Sequence, residues 1–241
     1  MPGHRYKKRG LISFGWDAGG HGEQATSSKP ALVVGEQLGN YVAVIFCKTW
    51  RPGSDDAEVI ADLVSIWEYF RPDFALGDAF GVGIITMVND ILFKKGIVDV
   101  DRKSIGEGES TASTWPDWAF SPIRFEGMTK HQMAQAIRSV FHNRRMVLPY
   151  TEDQDPEEPA IKDMNLFQKQ VINIKSDSTS HSYSTYQMVK KKIGDDLFDA
   201  GMAMVWGFAT QGACIVETIV SFSTASRQKL VKDQNAIEVI R

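Results

Sequence analysis

The sequence predicts an α/β protein built on a mixed sheet: antiparallel strands one to three, then parallel strands, with helices on both faces. Three observations carry this. Ala31 to Gln37 and Tyr41 to Thr49 are apolar runs rich in Val and Ile, separated by the tight-turn signal Leu38-Gly39-Asn40. Further along, brief apolar strands alternate with helical stripes of apolar residues at three-to-four spacing. Finally, acidic residues recur where a strand or helix ends or begins.

Leu11 to Trp16 reads as a short buried strand, ended by Asp17 and a glycine-rich turn. The hairpin of strands two and three follows. Arg51-Pro52-Gly53-Ser54 breaks the chain, and Ser54 or Asp55 caps a helix carrying Val59, Ile60, Leu63, Ile66, Trp67 and Phe70 on one stripe, which Pro72 ends. Phe74 to Gly77 is a buried strand delivering Asp78. A second helix, roughly Gly83 to Lys95, stops at Gly96. Residues 101–122 read as a long exposed loop. Ile123-Arg124-Phe125 is a short strand, Thr129 caps a third helix running to about His142, and Met146 to Pro149 is another strand. After the acidic loop Glu152 to Glu158 comes a helix over roughly Ala160 to Gln170, then a strand over Val171 to Ile174. Residues 176–186 are polar and read as mobile, and a last helix spans Asp195 to about Thr210. The expected organisation is therefore a flexible N-terminal segment (1–10), one α/β domain (11–210) and a tail without a structural assignment (211–241).

At 241 residues and 43% hydrophobic, the chain can bury a sizeable core. A net charge of −3 argues against a wholly basic nucleic-acid coat, but local Lys and Arg patches still permit DNA binding. The two cysteines, Cys47 and Cys214, show no zinc spacing and fit a reducing cytosol. No apolar stretch reaches membrane-spanning length, and no secretory signal core follows the basic start. No serine-nucleophile elbow occurs, and the histidines lack metal-ligand spacing.

The acidic positions are Asp17 in Gly15-Trp16-Asp17-Ala18-Gly19, Asp78 in Gly77-Asp78-Ala79-Phe80-Gly81, and the run Asp195-Asp196-Leu197-Phe198-Asp199. Singly, each has a plain reading: a turn for Asp17, a helix cap for Asp78 and for Asp195 or Asp196. Together they are harder to dismiss. Asp17 and Asp78 both follow buried strands, so both project from strand carboxyl ends. Asp196 and Asp199 are three apart at a helix start and share a face, whereas Asp195 is rotated about 100° away and suits a cap. Asp199 sits in an apolar turn, where a charge is costly unless bound. Two unit charges about 4 Å apart repel by roughly 4 kcal/mol at an effective dielectric near 20. If the carboxylates meet, Mg²⁺ or Mn²⁺ is the expected compensation, pointing to metal-assisted phosphodiester hydrolysis.

The order of these motifs resembles the nuclease domain of the large terminase subunit of tailed bacteriophages. The resemblance covers about residues 10–210 and rests on Gly15 to Gly19, on Gly77 to Gly83, on Ile123 to Phe125 followed by Lys130 and Met146 to Pro149, and on Lys192 to Ala200. It departs at Gly194, where many relatives carry histidine, and no ATPase phosphate loop occurs in the sequence. It implies a ribonuclease-H-like fold related to RuvC-type junction resolvases. It also implies an endonuclease cutting concatemeric double-stranded DNA during genome packaging in the bacterial cytoplasm. Asp17, Asp78, Asp196 and Asp199 would hold two Mg²⁺ or Mn²⁺ ions; read from the residues themselves, Asp195, Lys130 and His21 are accessory candidates. Its partners would be the terminase small subunit, an ATPase motor domain and the portal.

Lys190, Lys191 and Lys192 are the preferred DNA-phosphate contacts, with Arg144 and Arg145 next. Alternatives are a structure-selective junction resolvase on the same fold, a non-catalytic portal or capsid docking module, and an actin-type ATP-binding domain using Asp17-Ala18-Gly19 and Asp199-Ala200-Gly201 as phosphate turns.

Overall fold

Period-two alternation in the first strand sets the architecture. The computed structural model describes residues 5–20, 28–98, 118–177 and 184–210. Strand β1 (Ile12–Asp17) is buried along its length. It sends Ile12, Phe14 and Trp16 into one hydrophobic cluster, and turns Ser13 and Gly15 to the opposite face. Asp17 continues that second series. Strand β2 (Ala31–Leu38) runs antiparallel to β1, with Ile12 opposite Glu36 and Asp17 opposite Ala31. Strand β3 (Tyr41–Thr49) completes the expected meander.

The rest of the sheet is parallel to its neighbours. Strand β4 (Phe74–Asp78) lies beside β1, β5 (Ser121–Ile123) beside β4, and β6 (Met146–Val147) beside β3, giving the order β5-β4-β1-β2-β3-β6. Helices α1 (Asp56–Phe70) and α2 (Val82–Lys94) cover one face, packing Leu63, Trp67, Ile85 and Leu92 against Phe14, Trp16 and Val34. Helices α3 (Gly127–His142), α4 (Pro159–Asn173) and α5 (Asp196–Thr210) cover the other, where Ile137, Phe167, Ala200 and Met204 meet Val33 and Val44. Strands β7 (Ile174–Asp177) and β8 (Thr185–Met188) form a separate antiparallel hairpin.

Helix α5 is buried almost throughout, because it lies directly on β1. A Cβ at Gly15 would stand 1.9 Å from the Ala200 carbonyl oxygen and 2.3 Å from the Met204 nitrogen. Only glycine permits that approach. Ser13 Oγ donates to the Met204 carbonyl at 2.7 Å, pinning the same helix from the same strand face.

Several elements differ from expectation. Helix α3 starts at Gly127, so Thr129 lies in its first turn rather than capping it. The strand expected at Ile123 to Phe125 is Ser121–Ile123, drawn back by pairing with Leu76 to Asp78. Val171 to Asn173 close α4 instead of opening a strand; packing of Val171 against the core overrides its β-branched preference. Residues 5–10, expected to be flexible, are anchored: Tyr6 N–H donates to the Tyr69 carbonyl, and Lys8 pairs with Asp73 at 2.9 Å. Residues 1–4, His21, most of the long loop (99–117), residues 178–183 and the tail 211–241 lie outside the described residues.

Candidate functional site

Asp17 ends β1 and Asp78 ends its parallel neighbour β4, so both carboxylates leave the same edge of the sheet. Asp17 is buried, at 7% exposure, and its Oδ1 accepts the Gly19 N–H at 3.2 Å. Asp78 Oδ1 accepts the Phe80 N–H at 3.2 Å. The turn and cap readings of these residues are thus correct locally, yet do not exhaust their role.

The third contribution comes from the start of α5. Asp196 and Asp199 are buried, and Asp196 Oδ1 accepts Ser28 Oγ at 2.5 Å and the Lys29 N–H at 2.9 Å. Asp199 Oδ2 meets Lys130 Nζ, projecting from the first turn of α3, at 2.5 Å. The Asp195 carbonyl accepts the Asp199 N–H at 2.8 Å, which is cap-position backbone geometry. Gly194 has φ +73, a backbone conformation that a histidine would adopt only with strain.

Electrostatics tie these groups together. Burial pushes the Asp17 carboxyl well above its ordinary value. The charges of Asp199, Asp196 and Asp78 push it further, against the single Gly19 N–H. Asp199 is pushed up to about 6, first by burial and then by Asp195 and Asp196, with Lys130 opposing. Asp78 is raised by burial and held back by the Phe80 N–H, Lys130 and the Phe125 N–H. Burial works against the Lys130 ammonium, but Asp199, Asp195 and Asp17 outweigh it and hold the proton more firmly than usual. At neutral pH the Lys130–Asp199 pair is therefore ionised on both sides.

The charges of Asp78, Asp196 and Asp199 all act on Asp17, and Lys130 is paired with Asp199. Lys190, Lys191 and Lys192 are exposed on the short 3-10 turn leading into Asp196. Arg144 and Arg145 do not join this edge. They follow the far end of α3, and the Arg145 carbonyl accepts the Val42 N–H at the opposite end of the sheet from Asp17. With a rise of about 1.5 Å per residue, the helix carries them roughly 20 Å from Lys130. Asp199-Ala200-Gly201 lies inside α5 and forms no phosphate turn.

Two supports escaped the sequence reading. Gln170, fully buried on α4, accepts the Phe198 N–H at 2.8 Å and donates to the Ile193 carbonyl at 3.3 Å, satisfying an otherwise orphaned first-turn donor of α5. Ser28 and Lys29 fix Asp196 across the sheet edge. No local pattern marks a partner this distant in sequence.

Among the described residues, no three His, Cys, Asp or Glu side chains stand ready to grip one ion. Of these carboxylates, Asp199 Oδ2 is held by Lys130, and Asp196 Oδ1 by the Ser28 hydroxyl and the Lys29 N–H. The donor set itself suits a hard divalent cation: buried carboxylate oxygens that raise one another's proton affinity, with no thiolate or imidazole among them.

Fold and site together define a ribonuclease-H-like α/β domain with an acidic edge. No protein-family model and no curated protein matches the chain. Among solved structures it is similar to the large terminase nuclease from thermophilic phage G20c, at 12% identity over 86% of each chain and a TM-score of 0.54. The same nuclease with bound magnesium matches at 13% identity over 84% of each chain, with a TM-score of 0.52. The large terminase of another thermophilic bacteriophage, in complex with ATP-γ-S, matches at 9% identity, over 83% of this chain and 40% of that one, with a TM-score of 0.50. The chain has the fold of the large-terminase nuclease domains.

Proposed function

We propose that this protein is a divalent-metal-dependent endonuclease that cleaves double-stranded DNA, in the manner of a phage terminase processing concatemeric DNA for packaging in the host cytoplasm. What supports the reading is that Asp17 and Asp78 leave the same end of neighbouring strands, and that Asp17, raised first by burial, is raised further by the charges of Asp199, Asp196 and Asp78. The shared fold supports it, as does the bound magnesium in the phage G20c nuclease.

Two Mg²⁺ or Mn²⁺ ions held by these carboxylates would supply an activated water and neutralise charge on the departing oxygen. The protein's own contribution is positional. Asp17 sits on a rigid central strand and is the best placed to bridge. Asp196 is fixed by Ser28 and Lys29, and Asp199 by the helix that Gly15 lets down onto the sheet. Lys130 offers an ammonium within reach of a phosphate at the cluster. Asp195 adds negative charge at its margin. Lys190, Lys191 and Lys192 would take the DNA backbone, so binding weakens steeply with salt. An ATPase motor, the terminase small subunit and the portal are the partners this role calls for; the large terminase solved with ATP-γ-S supports the first.

Plasmid cleavage in Mg²⁺ or Mn²⁺ tests the reading. Asp17→Asn and Asp78→Asn should each abolish cutting while preserving the circular-dichroism spectrum. Wild-type cutting by either variant removes that residue from the site.

A further inference from the structure

The cluster already contains a cation. Lys130 Nζ lies 2.5 Å from Asp199 Oδ2, and its ammonium is also drawn by Asp195 and Asp17. Its side chain is 26% exposed, and Asp199 is nearly enclosed at 12%. Lysine in this position does two things at once. It compensates negative charges that burial makes costly when left unpaired. It also stands on the oxygen that a divalent ion would need, because such an ion sits about 2.0–2.6 Å from its oxygen ligands. Two cations cannot share that side of one oxygen.

We propose that Lys130 is a resident counter-ion of the acidic cluster: it stabilises the protein when no metal is bound and must be displaced from Asp199 when a divalent ion enters. This rests on the metal-binding reading above and adds to it a competition between ammonium and metal for one carboxylate. Lys130 in this role is a positioning residue. It holds Asp199 oriented on the cluster side of α5 until the ion takes over. The departing ammonium stays at the cluster margin, where a DNA phosphate is its natural next partner.

The test is thermal unfolding of the full chain in EDTA and across a Mn²⁺ titration, for wild type, Lys130→Met and Lys130→Arg. The expected result has three parts. In EDTA, Lys130→Met melts roughly 5–10 °C below wild type, because Asp199 loses its partner. In saturating Mn²⁺ that deficit shrinks or vanishes, so the metal-induced rise is larger in Lys130→Met than in wild type. The apparent Mn²⁺ affinity of Lys130→Met by calorimetry is about tenfold tighter, a difference of about 1.4 kcal/mol. Lys130→Arg keeps the charge and tracks wild type in EDTA. If Lys130→Met is unfolded in EDTA but gains native circular dichroism on adding Mn²⁺, the proposal stands equally. A wild type that responds to Mn²⁺ beside a Lys130→Met with the same or a smaller response overturns the competition and leaves the metal reading intact. A wild type that binds no Mn²⁺ overturns both.

Discussion

The ladder between β1 and β2 carries a buried carboxylate at each end, and the two have opposite fates. At one end, opposite Ile12, the Glu36 side chain is fully buried. It accepts the Tyr6 hydroxyl at 2.9 Å, the Gly10 N–H at 3.0 Å, the Arg9 N–H, and the Arg9 guanidinium at 3.2 and 3.3 Å. Burial pushes its carboxyl upward, but these donors outweigh burial and leave it below its ordinary value. At the other end, opposite Ala31, Asp17 has one N–H donor and three carboxylate neighbours, and it ends well above its ordinary value. Burial is common to both, so burial alone does not decide whether a carboxylate serves the fold. Donor count decides, and the end short of donors is the one available for a cation.

The largest test severs one end from the other. Gly15→Ala would drive a methyl into the Ala200 carbonyl and force α5 off β1, taking Asp196 and Asp199 with it. Overpacking against backbone of this kind should cost more than about 3 kcal/mol. Urea unfolding reads the loss directly. A cost under about 1 kcal/mol would mean the helix yields easily and the acidic edge is not built by that contact.

Next comes the direct contrast. Glu36→Gln leaves buried N–H donors facing an amide and should lose roughly 3 kcal/mol. Asp17→Asn removes one charge from a crowded cluster, so in EDTA its stability should be unchanged or higher, even as cleavage disappears. The denaturant midpoint should fall for Glu36→Gln and not for Asp17→Asn. Equal losses would dissolve the distinction between the ends.

How much of this was readable in the residues follows the same line. Asp17 and Asp78 were legible because each closes a buried strand, and Asp196 with Asp199 because three-residue spacing at a helix start defines a face. The hairpin, α1 and α2 were legible from apolar periodicity. The Glu36 clamp was not, since its donors, side-chain and backbone groups of Tyr6, Arg9 and Gly10, lie some thirty residues away in a segment expected to be flexible. Gln170, Ser28 and the Lys29 N–H escaped for a related reason: a polar group whose partner lies far away in sequence leaves no local signature. That Arg144 and Arg145, expected as further phosphate contacts, follow the end of α3 away from Lys130 was not legible, because a charge pair in sequence does not say which end of a helix faces the acidic residues.

The pH dependence should separate the ends more finely. Glu36 has a depressed carboxyl, so its stabilisation is present above the unfolded value and is lost as pH falls through the folded one. Asp17 and Asp199 are raised, so the folded protein holds protons that the unfolded chain has released. Their contribution is full below the unfolded value and declines as pH rises through the folded one, about 6 for Asp199. Melting temperature in EDTA should therefore carry two opposed limbs. Glu36→Gln should flatten the acid limb, and Asp199→Asn the decline toward pH 6. If Glu36→Gln instead flattened the upper limb, the assignment of the limbs would be reversed.

The smallest effect probes whether the clamp is graded. Tyr6→Phe deletes only the hydroxyl donated to Glu36, leaving the ring against Phe70 at a centroid separation of 5.3 Å. One bond among several to a charged acceptor should cost about 1 kcal/mol, or roughly 2–4 °C in a chain of this size. Because β1 separates this end from Asp17 by about 17 Å, at roughly 3.3 Å per residue, neither cleavage nor the Mn²⁺-induced rise should change. A Tyr6→Phe protein with altered metal response would mean that the two ends of the ladder communicate through the strand. The donor-rich clamp would then be part of the site rather than its counterweight.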